Sequence, residues 1–411
     1  MTSVDRRPAD GLPTVEARPY RMVMGALILF LQFALGLNMF SISPLLPLVI
    51  DDYDVSRTWA SLLVAGPLLM QAATGIPGSL VIGRYGLRRT VFVGSVLVGS
   101  LSLAFLFDGF LMIAVLRLLS GAGAGLLIAG TGPVIMRWFA GRAVPVMNTL
   151  FLTALSSGIA IGVLASAPLA SSTGWRNVLG VFGLFPLIGA AAWFLFSRTA
   201  TTTSALPEAF GVAEAWGVLR DRTIFSLVTA DALVFVQYAV LTSWLPTFFH
   251  ESRGMSLERA GYLTGLLPAV GIVAVLVGGG LSFRFTQWRP MLILPGIAVG
   301  LSGFATFLLT GTAAISVAVI VLGVGTWIYQ PTFHTVPMSL PWMTPDKVAV
   351  VWGASMTIAG IGQFIAPIVA GASRDVFGSF VPGFAVWSAL AWSLLLVGVF
   401  LPDPSGDDQP I

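Results

Sequence analysis

Cysteine is absent, and histidine occurs only twice, at His250 and His334. The first absence excludes disulfides and thiolate-held metals. Two distant histidines are too few to build an imidazole metal site, so neither a metal nor another cofactor is expected. Charge is scarce as well: 9% of the 411 residues are charged and 56% are hydrophobic, whereas soluble domains carry roughly 25% charged residues. No soluble fold of this length hides so much apolar surface. The 21 Lys and Arg outnumber the 18 Asp and Glu. They fall in short polar segments with no continuous basic stripe, which argues against a nucleic-acid partner.

What the sequence has instead is long apolar runs broken by short polar segments. A run of about 20 apolar residues matches a hydrocarbon core of about 30 Å, and a backbone placed there must be helical. Strands of a membrane barrel would alternate over about 10 residues, and these runs do not. The reading is an all-α membrane protein with twelve transmembrane helices, at 21–49, 57–83, 89–107, 110–136, 146–171, 176–197, 222–249, 258–283, 290–310, 313–338, 348–371 and 379–401. Arg18 and Arg21 precede a first run that is longer than a signal-peptide core and lacks a cleavage site. An even count of spans puts both termini on one side. With the N-terminus inside, fifteen Lys and Arg fall inside, five fall outside, and Arg117 lies within a span. That bias predicts cytoplasmic termini and a location in the inner (plasma) membrane. Residues 1–20 and 402–411 are expected as cytoplasmic tails and 198–221 as a cytoplasmic linker. Within the linker, Pro207 to Leu219 could form an interfacial helix carrying Phe210 and Trp216.

The chain also repeats itself. Pro44 recurs as Pro246, Ser56 as Ser256, Ala60 as Ala260, Pro67 as Pro268, Gly78 as Gly280, Arg88 as Arg289, Gly121 as Gly323, Gly123 as Gly325 and Gly158 as Gly360. The nearly constant offset predicts two pseudo-symmetric six-helix bundles, 21–197 and 222–401, with a cavity between them.

The loop after the second span reads Gly78-Ser-Leu-Val-Ile-Gly83-Arg84-Tyr85-Gly86-Leu87-Arg88-Arg89. It resembles the major facilitator superfamily signature, Gly-x-x-x-Asp-Arg-x-Gly-x-Arg-Arg. Arg84, Gly86, Arg88 and Arg89 match. Gly83 stands where the signature has its acid, and Ser79 where it has its first glycine. In the family the acid helps latch the halves together on the cytoplasmic side, so the resemblance gives these residues a gating or structural role without that particular latch. Arg117-Leu-Leu-Ser-Gly121-Ala-Gly123-Ala-Gly125 is similar to the family's fourth-helix motif, and Gly174-Trp175-Arg176 to its junction before the sixth. Arg117, Gly121 and Gly125 share one stripe, where glycines admit a neighbouring helix. The strings Leu37-Asn38-Met39, Ser43-Pro44-Leu-Leu-Pro47, Ser243-Trp244-Leu245-Pro246 and Gly360-Ile-Gly362-Gln363 resemble the cyanate/nitroimidazole-type branch. The Gly-Pro pair of the fifth helix of drug/proton antiporters is missing, since Pro168 follows Ala167.

Polar residues at span depth are the candidate site. A membrane-embedded arginine is costly unless it faces water or a partner. Arg117 is therefore either a substrate or coupling group, or a structural arginine bonded to backbone carbonyls. Asp231 is the only carboxylate deep within a span, roughly 8 Å from the middle of its helix by helical rise. It is a candidate proton carrier, with Phe235, Tyr238 and Thr242 on its face. His334 is a second proton-coupling candidate, or a snorkelling or capping residue near the inner end. Trp327 and Gln330 share its stripe, Trp352, Ser355 and Gln363 share another, and Asn38 and Gln71 lie near mid-depth. Asn38, Gln71, Tyr238, Trp327, Gln330, Trp352 and Gln363 are taken with Arg117 as the cavity lining. The repeat supports this choice: Val319 stands opposite Arg117 and Leu29 opposite Asp231, so the charged residues break a symmetry that the scaffold keeps.

The leading expectation is a secondary active transporter, monomeric by the family resemblance, that moves a small polar or anionic solute by alternating access with proton coupling. The alternative is a proton-driven exporter of drugs or hydrophobic metabolites, which an aromatic lining would suit. An intramembrane enzyme would need a catalytic dyad or metal ligands at span depth, and the sequence shows neither.

Overall fold

A backbone in hydrocarbon has no water to bond, so each apolar run closes its hydrogen bonds within itself. In the computed structural model these runs are α1 (Tyr20–Tyr53), α2 (Arg57–Tyr85), α3 (Leu87–Phe105), α4 (Phe110–Trp138), α5 (Ala143–Thr173), α6 (Trp175–Phe196), α7 (Arg222–Arg253), α8 (Leu257–Arg284), α9 (Arg289–Leu308), α10 (Thr312–His334), α11 (Pro345–Phe377) and α12 (Val381–Phe400). The structure describes residues 17–139, 143–198, 217–284, 289–336, 343 and 345–400, and among them there is no strand. Eleven stretches are long and apolar enough to cross a membrane, and α2, 29 residues long, completes the twelve. The expected limits hold to within two helical turns. The interfacial helix expected at 207–219 lies, with Phe210 and Trp216, outside the described residues except for its helical end, 217–219.

Three spans are not continuous helices. α1 is helical to Met39, turns through Ser43–Leu45 and resumes at Leu46–Tyr53. Pro44 and Pro47 lack the N–H that would continue the ladder. α10 breaks at Tyr329 and resumes as Gln330–Thr335, with Pro331 in its first turn. α12 breaks between Leu390 and Ser393. The first two breaks build the site described below.

The sequence repeat recurs as a repeat of geometry. Asp54 and Gly254 both take the left-handed conformation that ends a helix. Two residues on, the hydroxyls of Ser56 and Ser256 accept from the amides of Trp59 and Arg259, each at 3.3 Å, capping α2 and α8 alike. A methyl placed on Gly121 would sit 2.3 Å from the Pro67 carbonyl oxygen, and one on Gly323 2.5 Å from that of Leu267. Both glycines thus let α4 and α10 press against the equivalent proline-bearing turn of α2 and α8. The two six-helix bundles meet where α2 packs on α11 and α5 on α8. Small residues line that seam as well: Gly360 lies against Ala72, and Gly371 against Ser61 and the Arg57 carbonyl. Outward faces carry exposed Leu111, Ile188, Leu294 and Phe400, as helices solvated by lipid do.

Candidate functional site

The break in α10 decides how Asp231 is held. On a continuous helix, consecutive side chains point about 100° apart, and Tyr329 and Gln330 could not both reach one neighbour. At the break they do. The Tyr329 hydroxyl donates to Asp231 Oδ1 at 2.9 Å and the Gln330 amide at 2.7 Å, while the Ser355 hydroxyl of α11 donates to Oδ2 at 2.6 Å. Asp231 is 4% exposed, and no cation pairs with it among the described residues. Three donors satisfy the carboxylate when it is ionised. A protonated carboxyl could instead donate to Tyr329 or Ser355, whose hydroxyl oxygens also accept. The cage therefore serves both protonation states with small hydroxyl rotations.

One and two turns further along α7, Phe235 and Tyr238 join an aromatic cluster. Trp327 of α10 lies edge-on to both, at centroid distances of 5.4 and 5.8 Å, and Phe40 of the first bundle lies 6.2 Å from Tyr238. The Tyr238 hydroxyl, Thr242 hydroxyl and Trp327 indole nitrogen are buried with no hydrogen bond of ordinary geometry, although the tyrosine interacts weakly with the other two. Leaving such groups unmade costs roughly 1–3 kcal/mol each.

Arg117 is buried. Its guanidinium donates to the carbonyls of Leu63, Asn38 and Met39 at 2.6, 2.7 and 2.9 Å. The last two carbonyls are orphans made by the break in α1 after Met39, at the negative end of that helical segment. Arg117 is thus the structural arginine bonded to carbonyls that the sequence left open. The cavity that it lines with Asn38, Gln71 and Gly121 leaves about 10 Å³ for a water centre, enough for a single water and too small for a solute. Asn38 donates to the carbonyls of Ala34 and Phe182 at 2.8 and 3.0 Å, as helix–helix glue does. Gly125 faces Thr74 and the Gln71 carbonyl.

Of the remaining candidates, Gln363 is half-buried on α11, and the side chain of Trp352 lies outside those described. His334 is half-buried beside Phe333 and is not among the three groups bonded to Asp231. Arg84, Gly86, Arg88 and Arg89 sit at the end of the bundle where α1 begins and α12 ends, here the terminal end. Arg88 bonds Ser197 and the Phe194 carbonyl at 2.9 and 2.5 Å, and Arg84 lies over Tyr85. These contacts are within the first bundle and do not span the seam.

The contacts that do span it lie at the opposite, distal end, and they involve residues that the sequence reading passed over. Glu251 at the end of α7 pairs across the seam with Arg57 of α2 at 3.1 Å, and also holds Arg374 of α11 in its own bundle at 3.3 Å. Asp375 of α11 accepts from the Arg57 amide at 3.2 Å, the Thr58 amide at 2.8 Å and the Thr58 hydroxyl at 2.6 Å. A carboxylate of the second bundle therefore caps a helix of the first. The available signal was the clustering of charge at 51–57, 251–259 and 374–375, which reads as ordinary solvated loops.

Broken helices and a buried carboxylate cage within a bundle of apolar spans are features of membrane carriers. Residues 28–367 match the family model of the Major Facilitator Superfamily, and the chain belongs to that superfamily. It is similar to a hexuronate transporter of Bacillus subtilis (strain 168), 24% identical over 89% of this chain and 91% of the relative. It is also similar to the cyanate transport protein CynX of Escherichia coli (strain K12), 25% identical over 90% and 96%. Among solved structures, a bacterial homologue of the human lysosomal transporter Spinster, inward-facing and unoccupied, matches with a TM-score of 0.73 at 18% identity, over 93% of this chain and 95% of that one. That likeness establishes the fold.

Proposed function

We propose that this membrane transporter is proton-coupled and carries a small polar or anionic solute by alternating access. The observation that carries the reading is the Asp231 cage, a buried carboxylate whose donors come from two further helices of the moving half. Asp231 takes up and releases the coupling proton. The solute sits against Tyr238, Trp327 and Phe235, within reach of the seam, where the unpartnered hydroxyl and indole donors meet its oxygens. Hexuronate and cyanate, named for two relatives, are both small anions, which supports that class. Arg117 acts at one remove, by fixing the break in α1 that brings Phe40 to the cluster, and Gln363 lines the path. The tails 1–20 and 402–411 and the linker 198–221 are cytoplasmic, by the lysine and arginine bias. The distal latch then closes the outer side, and the state is inward-facing.

The test is transport in proteoliposomes of the purified chain, with hexuronate and cyanate as first probes. Asp231→Asn is expected to abolish accumulation driven by a pH gradient while leaving solute counterflow, which needs no net proton movement. Gradient-driven accumulation by Asp231→Asn at the native rate would remove the aspartate from coupling. The aromatic cluster also suits a second reading, export of apolar compounds. Resistance of expressing cells to such compounds, with no anion flux, would favour it.

A further inference from the structure

The terminal end of the first bundle holds a cleft of about 510 Å³ bounded by α1, α2, α3, α4 and α6. We propose that this cleft binds the phosphate-bearing headgroup of an anionic phospholipid. Four arginines line it: Arg88, Arg89, Arg137 and Arg198. None of them meets a carboxylate among the described residues, where every ion pair lies at the distal end. Arg88 is held by Ser197 and Phe194, and Arg198 lies 4.0 Å from the Tyr20 ring centroid. Arg89 and Arg137 have no such engagement and are the two forks open to a ligand. The guanidinium fork matches phosphate oxygens two at a time. The vacancy at Gly83 is part of the design, because the signature's acid would have stood on this wall.

The surroundings point to a lipid source of that phosphate. Tyr85 and Trp138 line the cleft, and such residues mark headgroup level. Next to them on α2 and α4, Leu80 and Met136 are 69% and 73% exposed and would meet acyl chains. The volume falls in the range of about 300–1,000 Å³ that small-ligand sites occupy. Basic pockets between helices at this depth are suited to anionic headgroups.

The full chain in a neutral detergent, titrated with phosphatidylglycerol or phosphatidylcholine and read by native mass spectrometry, tests this. Phosphatidylglycerol should bind the native chain more tightly than phosphatidylcholine. An Arg89→Gln, Arg137→Gln double variant should bind it roughly thirtyfold more weakly, the loss of two charges each attracted by an anionic surface. Arg89 is exposed and Arg137 half-buried, and an unchanged elution profile shows that the variant is folded. Arg89→Lys with Arg137→Lys should fall between the two. Equal binding of the two lipids, or a glutamine variant that binds like the native chain, overturns the site. Displacement of the lipid by millimolar inorganic phosphate would make it a soluble-anion site and overturn the lipid assignment.

Discussion

At the distal end Glu251 pairs across the seam with Arg57 and within the second bundle with Arg374, and Arg176 pairs with Asp108 at 2.7 Å within the first bundle. At the terminal end Arg84, Arg88, Arg89, Arg137 and Arg198 share none among the described residues. The same side chain serves two purposes, and the presence of an acid separates them. An arginine with a carboxylate from the other half resists separation of the halves. An arginine without one puts no such tie between the halves. In the alternating access proposed above the two ends must not be open together, and unequal pairing at the two ends serves that rule.

The largest expected effect comes from removing the distal acid. Glu251→Gln breaks both bridges at once, and its partners are about a third exposed or less, at 30% and 27%. Only the Arg57 pair spans the seam, and one such part-screened pair is worth roughly 0.2–1 kcal/mol, which moves an open–closed equilibrium up to about fivefold. The native chain has no cysteine, so a Ser61→Cys substitution gives a single thiol at the seam, where Ser61 is buried and bonds the Pro367 carbonyl at 3.2 Å. Labelling of that thiol by a membrane-impermeant maleimide should speed up by as much as about fivefold when Glu251→Gln is added. An unchanged rate would mean that the small residues at Gly371 and Gly360 seal the distal end by packing alone, and the contrast between the ends would lose its electrostatic basis.

Legibility in the sequence follows the same divide. The twelve helices were readable because each depends only on its own apolar run, and the repeat was readable because Gly121 and Gly323, or Ser56 and Ser256, do the same local work. Asp231 stood out as a lone carboxylate in a span. Gln330 was found with it and Tyr329 was not, because the face was read on an unbroken helix and Pro331 interrupts that helix. Arg117 drew attention as a charge, but its partners are carbonyls that exist only because α1 stops at Met39. The distal latch joins residues 194 and 123 positions apart, and nothing local distinguishes Glu251 from any acid in a loop. The roles of single residues depended on where helices break and on which loops meet, and both are properties of the packed chain.

A separate effect, on stability and not on the seam, is expected at the terminal end. Arg88→Gln removes the bonds to Ser197 and the Phe194 carbonyl, at 2.9 and 2.5 Å, which tie α3 to the end of α6. Two partly exposed bonds to a charged group are worth about 1–2 kcal/mol here. The melting temperature in detergent should fall by a few degrees. Labelling of Ser61→Cys should stay at the native rate, because these bonds lie within one bundle. Faster labelling would show that the terminal arginines also restrain the seam, and would blur the division between anchor and latch.

The smallest effect on stability, and the sharpest on the comparison, should come from Gly83→Asp, which gives the terminal end the acid that it lacks. Position 83 is exposed in the last turn of α2. A carboxylate there faces the negative end of the helix, at a cost of about 0.3–1 kcal/mol. Attraction to exposed arginines returns about 0–1 kcal/mol. The two nearly cancel, so thermal stability should change by less than about 0.5 kcal/mol. The cleft nevertheless loses one unit of positive charge, and at about 1 kcal/mol per charge its affinity for phosphatidylglycerol should fall roughly fivefold. Measured together, the two readouts separate the possibilities. Unchanged stability with weaker lipid binding fits an end built as an open cationic site. A large gain in stability, with distal labelling of Ser61→Cys altered as well, would mean that an acid at 83 restores a latch, and the inequality between the two ends would then be a missing residue rather than a working feature.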